Sequence, residues 1–426
     1  MPGADGHSRT FRSSSPAPSS VSTGPLEPEH LVQGLEDLQR GPEFLLLLIA
    51  NGEPAVDALA HFLLGPPSPH PQPRMLAAEA LGAIGGEKAS RALAAAVCRR
   101  SSDPRFQSPV LALSEEAVRN SAAYQLGHLG DPASVEPLLE ALVRSHLIGA
   151  GEALVRFREP RAIPLLVECL SDSFARERAA TAILEFGREA IGALIAALHS
   201  VEFNHGLETP RSVERRAAAA RLLGETKARG AETALRESLD DPILEVRHRA
   251  AIALAQVAPE TSVPERVRVL IDGLGDAALS DEYEDALLVA SGHALPPLVE
   301  AVSAEARATS GSGAWVPSRR LRAMARAIAR MGNLGQAALG ALATHSNPLV
   351  RGLAVGHLAR TRAPMAESVI AQALRDCDPR VRRTAAGYAK RMGLEVRASN
   401  VAHLAHRIRR VWRLRLTRLL ERLGRG

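Results

Sequence analysis

Catalysis needs a nucleophile beside a base, a pair of carboxylates, or a metal held by several donors. The chain supplies none of these at a recognisable spacing: it has no Gly-rich phosphate loop, no Gly-x-Ser-x-Gly elbow and no His-Glu-x-x-His pair. His403 and His406 stand three apart, half of a metal site, but no nearby acid or thiol completes it. His128 and His357 recur in identical Gly-His-Leu contexts, too distant to share one ion, and read as surface histidines. Cys98, Cys169 and Cys377 are odd in number and show no Cys-x-x-Cys spacing, which points to a reducing, cytoplasmic setting and no metal clip. Cys98 and Cys169 fall on apolar stripes and read as core thiols. No catalytic residue, metal, cofactor or small-molecule ligand is therefore expected.

What remains is recognition chemistry. In residues 400–426, Leu404, Ile408, Val411, Trp412, Leu416, Leu419 and Leu423 share one helical face, with Arg409, Arg410, Arg413 and Arg418 around the rest. From Asp376 onward there are 14 Arg or Lys against 4 Asp or Glu, a net +10, so the overall +5 leaves residues 1–375 at −5. A basic helix on a mildly acidic body has three uses: capping the fold, binding an acidic partner, or binding nucleic acid or an anionic membrane surface. The last would be salt-sensitive, with Trp412 at the boundary. Two further sets lie in polar stretches. Trp315, in Gly311-Ser312-Gly313-Ala314-Trp315, is either folded back or presented as an anchor, and Phe203 and His205 sit in a short insertion at 200–211.

The elements that must position these groups are repeats. Residues 116–142 open with an amphipathic helix carrying Ala122, Ala123, Leu126 and Leu129 on one face, stopped at Gly130. Asp131-Pro132 starts a second helix whose stripe is Val135, Leu138, Leu139 and Leu142. The Ala-Ala pair recurs at Ala77-Ala78, Ala179-Ala180, Ala219-Ala220, Ala250-Ala251 and Ala385-Ala386. A Val-Arg step precedes it at a fixed offset: Val118-Arg119, Val246-Arg247, Val350-Arg351 and Val381-Arg382, with Arg74, Arg176 and Arg216 in the same slot. The step from Val350 to Val381 is 31 residues, and such a period means stacked units. Small side chains let neighbouring helices approach closely, and the Arg slot predicts a ladder from each unit to a carboxylate or loop carbonyl of its neighbour.

These residues together resemble a HEAT-repeat protein of the short-period, phycobilisome-lyase-like type, over about residues 74–395. The resemblance implies an all-α solenoid of about ten helical hairpins. A disordered Ser/Pro-rich tail is expected at 1–28, a helical cap and Pro-rich link at 29–72, the repeat array at 73–399 and the basic helix at 400–426. Insertions at 101–114, 200–211 and 304–318 fall between units and so emerge on one edge. HEAT-like relatives include bilin lyases and deoxyhypusine hydroxylase, so an accessory enzyme is one reading. The hydroxylase's His-Glu metal dipeptides do not occur here: Arg247-His248-Arg249 stands where one would begin. The reading that fits the residues best is a non-catalytic scaffold or adaptor, holding a protein partner through its concave groove and inter-repeat insertions, with nucleic acid or an anionic membrane as the alternative partner of 400–426.

Overall fold

The computed structural model describes residues 27–37, 39–99, 108–309 and 316–394. Trp315, His403, His406, Arg409, Arg410, Trp412, Arg413 and the Ser/Pro-rich tail lie outside them. Compactness divides the chain into two units, Met1–Glu159 and Pro160–Gly426.

The first unit carries α1 (Pro28–Gln33), α2 (Gly41–Asn51), α3 (Val56–Leu63), α4 (Gln72–Ile84), α5 (Gly86–Val97), α6 (Pro109–Leu129), α7 (Val135–Ser145) and α8 (Ile148–Arg156). The second carries α9 (Ala162–Cys169), α10 (Arg176–Phe186), α11 (Ile191–His199), a hairpin of β1 (Phe203–Asn204) and β2 (Leu207–Glu208), and α12 (Pro210–Glu225). It continues through α13 (Glu232–Glu237), α14 (Leu244–Val257), α15 (Val263–Gly273), α16 (Ser280–Val289), α17 (Ser291–Thr309) and α18 (Arg319–Arg330). Four more helices follow: α19 (Gly332–Leu342), α20 (Pro348–Arg360), α21 (Ala366–Ala373) and α22 (Pro379–Arg391). Within each unit, successive helices form antiparallel pairs and the first helices of neighbouring pairs pack on one another, the arrangement of an α-solenoid.

Local chemistry explains the boundaries. The Asp-Pro and Asn-Pro steps are helix starts: Asp131, Asn347 and Asp378 each accept the N–H two residues on, at 3.0, 2.8 and 2.7 Å, and Pro fills the position that needs no donor. Gly130 ends α6 in the left-handed conformation, at φ 67°. The Ala pairs at 77–78, 122–123, 179–180, 219–220 and 250–251 are buried. Close approach is literal: a Cβ at Gly127 would stand 3.0 Å from Ala153 Cα, and one at Gly224 would stand 2.8 Å from Ala253 Cα.

The ladder forms, and its rungs have two ends. One end grips the C-terminal end of the helix before the arginine's own: Nε of Arg74, Arg119, Arg176 and Arg216 donates to the carbonyls of Leu63, Val97, Leu170 and Leu198 at 2.8 to 2.9 Å. Nη1 of Arg351 instead grips the connection before α20, at the carbonyls of His345 and Ser346. The other end takes a carboxylate from the next repeat: Glu115 for Arg74, Glu214 for Arg176, Asp241 for Arg216 and Asp376 for Arg351. Helix carbonyls that the backbone leaves unpaired are thereby satisfied, and the repeats that carry Arg74, Arg176, Arg216 and Arg351 are each tied to both neighbours.

Two insertions are shorter than the sequence suggests. Residues 109–114 belong to α6, because Pro109 suits a first helical position and Val-Leu-Ala-Leu contains no turn former. Residues 304–309, Ala-rich, extend α17. His357 is half-buried rather than on the surface, and burial, with Arg360 and Arg326 nearby, pulls its pKa down to about 4.

Candidate functional site: the edge carrying the inter-repeat connections

The 200–209 connection between α11 and α12 is the element the sequence marks by Phe203 and His205. It is a two-stranded antiparallel hairpin with Phe203 opposite Glu208 and Asn204 opposite Leu207. His205 and Gly206 turn it, both with positive φ (50° and 80°), as a two-residue hairpin turn requires. His205 therefore serves the turn. Phe203 and Leu207 project into solvent, at 70% and 76% exposure.

Strands of two residues do not hold themselves together. The base of the hairpin is locked by two buried arginines from the first turns of α12. Arg216 meets both oxygens of Glu208 at 2.9 Å, and also the carboxylate of Asp241 on the far side. Arg215 reaches Glu202 at 2.6 Å and Glu168 at 2.8 Å. Burial works against the charge of Arg215, but Glu202 and Glu168 outweigh it and raise its pKa. Ser212 donates to Glu208 at 2.7 Å and accepts the N–H of Glu202 at 3.1 Å, while Thr209 closes the ribbon through Glu202 O (2.8 Å) and caps α12. A mobile-looking insertion is in fact pinned, with two apolar side chains held outward.

Sequence reasoning missed two exposed apolar residues on these connections. Leu207 gave no signal, being a lone Leu with no period. Phe174, in the preceding 170–175 connection, is 95% exposed, its N–H bonded to Asp172 Oδ1 at 2.8 Å. A Phe directly after Ser171-Asp172-Ser173 was the available signal. Both residues lie on connections between repeats, as does the hairpin.

Groups with acid–base chemistry are sealed or dispersed. His248 Nδ1 and Tyr283 Oη are 2.7 Å apart in the core, where burial and then Arg247 lower the pKa of the histidine and burial raises that of the phenol. Neither ring reaches a surface from which a substrate could approach. The Cys169 thiol is buried, which pushes it up to about 11, and Cys98 is half-buried and raised for the same first cause; both are inert core groups. Among the described residues no three of His, Cys, Asp and Glu converge as a metal site.

The HEAT-repeat family model matches residues 108–187 and 335–421. No curated protein matches the chain. Importin β is 13% identical over 81% of this chain and 54% of its own, with a TM-score of 0.48, so the chain spans about half of that protein. Human deoxyhypusine hydroxylase in complex with glycerol is 22% identical, over 62% of this chain and 95% of its own, with a TM-score of 0.24. The CpcE–CpcF complex of phycocyanin lyase from Nostoc sp. is 19% identical, over 84% and 97%, with a TM-score of 0.22. None of these likenesses assigns an activity or a partner. Buried Ala pairs and the two-ended arginine ladder run through the stretches that the family model matches, and the chain carries HEAT repeats at 108–187 and 335–421.

Proposed function

We propose that the chain is a non-catalytic scaffold that holds a protein partner on the edge carrying its inter-repeat connections, with the 203–208 hairpin as the anchor. One observation carries this: Phe203 and Leu207 are exposed on a ribbon whose base is fixed by buried Arg215 and Arg216. Apolar side chains kept in water by rigid scaffolding forgo about 1.5–3 kcal/mol each, which a partner recovers when it covers them. Preordering also removes the loop-fixing cost that a flexible insertion would add on binding. A reducing cytoplasm is the setting we propose, on three cysteines that are odd in number and show no Cys-x-x-Cys spacing.

The test is affinity capture from the native organism with the full chain and with Phe203→Ser/Leu207→Ser. A protein retained by the first and lost by the second, with both chains melting at the same temperature, is the expected result. Identical retention by the two chains would refute the reading.

A further inference from the structure

In two adjacent repeats the ladder changes character. In α16 the slot that holds arginine elsewhere holds Glu284, which is 1% exposed and is reached from α18 by Arg326 Nε at 2.5 Å and Arg330 Nη1 at 3.2 Å. In α18 the slot, three residues ahead of Ala325 as Arg119 is ahead of Ala122, is Arg322. Unlike those of its counterparts, the side chain of Arg322 is exposed and makes no hydrogen bond or ion pair among the described residues. The missing carboxylate can be located. Asp376, which serves Arg351, stands two residues before the capping Asp378; two residues before the capping Asn347 stands His345. Arg319, three residues earlier on the same stripe, is likewise unpaired.

Arg319, Arg322 and Arg326 line an open cavity of about 500 Å³ whose opposite wall is Ala277, Ala278 and the start of α16, Ser280 and Asp281. Asp281 and Glu284 are already matched by Arg326 and Arg330, so Arg319 and Arg322 leave the cavity with excess positive charge. We infer that this cavity receives carboxylate side chains from an acidic segment of the partner protein. The inference rests on the scaffold reading and specifies the chemistry of what is held. Four of the sister arginines bind Asp or Glu across a repeat boundary, so the slot is built for that group, and the guanidinium fork accepts a carboxylate through two parallel bonds. Asp281 on the facing wall disfavours a dianion such as phosphate more than a single carboxylate.

Fluorescence anisotropy of a labelled peptide alternating Glu pairs with Leu, titrated with the full chain, tests it. The peptide should bind and its Gln counterpart should not. Arg319→Gln/Arg322→Gln should weaken binding at least about tenfold, since each loses charge-assisted bonds. Arg383→Gln, at an exposed arginine of α22, should leave binding unchanged. Failure of the Glu peptide to bind, an equal loss from Arg383→Gln, or displacement of the peptide by inorganic phosphate at lower concentration than by acetate would each overturn the inference. None of these outcomes touches Phe203 and Leu207, so the scaffold reading stands or falls separately.

Discussion

Replacing Arg216 by methionine tests whether the hairpin is held as described. The side chain bonds the carbonyl of Leu198, both oxygens of Glu208 and the carboxylate of Asp241, and both acids are buried with it. Methionine keeps the volume and removes the charge, so two carboxylates lose their counter-ion away from water. Breaking a buried pair from one side costs about 3–5 kcal/mol, well above the cost of a surface change. Ser212 still donates to Glu208, and the N–H of Ile243 still serves Asp241, which places the expectation at the lower end, about 3 kcal/mol. Because repeat arrays open in parts, amide exchange through α12 and 200–209 is the proper assay, beside a urea melt. A second variant, Arg216→Met with Glu208→Gln and Asp241→Asn, removes all three charges and should recover most of the loss. A single variant within about 1 kcal/mol of the parent, or a triple variant no better than the single, would refute the account.

Ala123→Leu should overpack the α6 contact with its neighbours and cost about 1–3 kcal/mol, measured by urea melt. Glu140→Lys removes only the exposed Arg144 pair at 2.7 Å and should cost no more than about 0.5 kcal/mol; similar losses in both would overturn the inside–outside assignment. His357, lowered by burial to about 4, stays neutral in the fold while the unfolded chain protonates from its ordinary value near 6.5. The unfolded state then binds the extra proton, so stability falls as pH drops from about 6.5 to about 4, by on the order of 2–3 kcal/mol. His357→Gln should flatten that part of the profile, and an unchanged slope there would exclude the histidine. Deletion of 400–426 should abolish any salt-sensitive retention on heparin and leave capture through the hairpin intact; heparin retention that survives the deletion would end the polyanion reading of that segment.

Repetition is what made the fold legible. A single Ala-Ala pair means little, but six at a shared offset from an arginine specify which helix face is covered, and the structure covers it. The ladder was legible for the same reason, since the Arg slot recurs without its partners being adjacent in sequence. The places that escaped are those where a repeat departs from its siblings. Tyr283-Glu284 fills the Val-Arg position with a ring and an acid, so the charge reversal in α16 had no template. The two Gly-His-Leu triplets are identical in sequence, yet His128 is exposed against Tyr124 while His357 is half-buried beside Arg360 and Arg326. Burial there belongs to the neighbouring repeat, which no local pattern encodes. Leu207 likewise becomes informative only once a hairpin pairs it with Asn204 and leaves it exposed.

Arginine, not leucine, anchors the hairpin for a reason that bears on its use. An apolar plug of similar volume would match or exceed the stability of a buried Arg–carboxylate cluster, so stability alone does not account for Arg216, Glu208 and Asp241. Apolar contacts are non-directional, however, and a ribbon of two-residue strands seated on grease could slip by a residue, which exchanges its faces. Nη1 of Arg216 on both oxygens of Glu208, with Nε held by Leu198 O and Nη2 by Asp241, fixes one register, and with Phe203 opposite Glu208 that register decides where the ring points. Fixing an exposed aromatic in one direction has no consequence for the interior of the repeat stack. It matters only to something that meets the edge from outside.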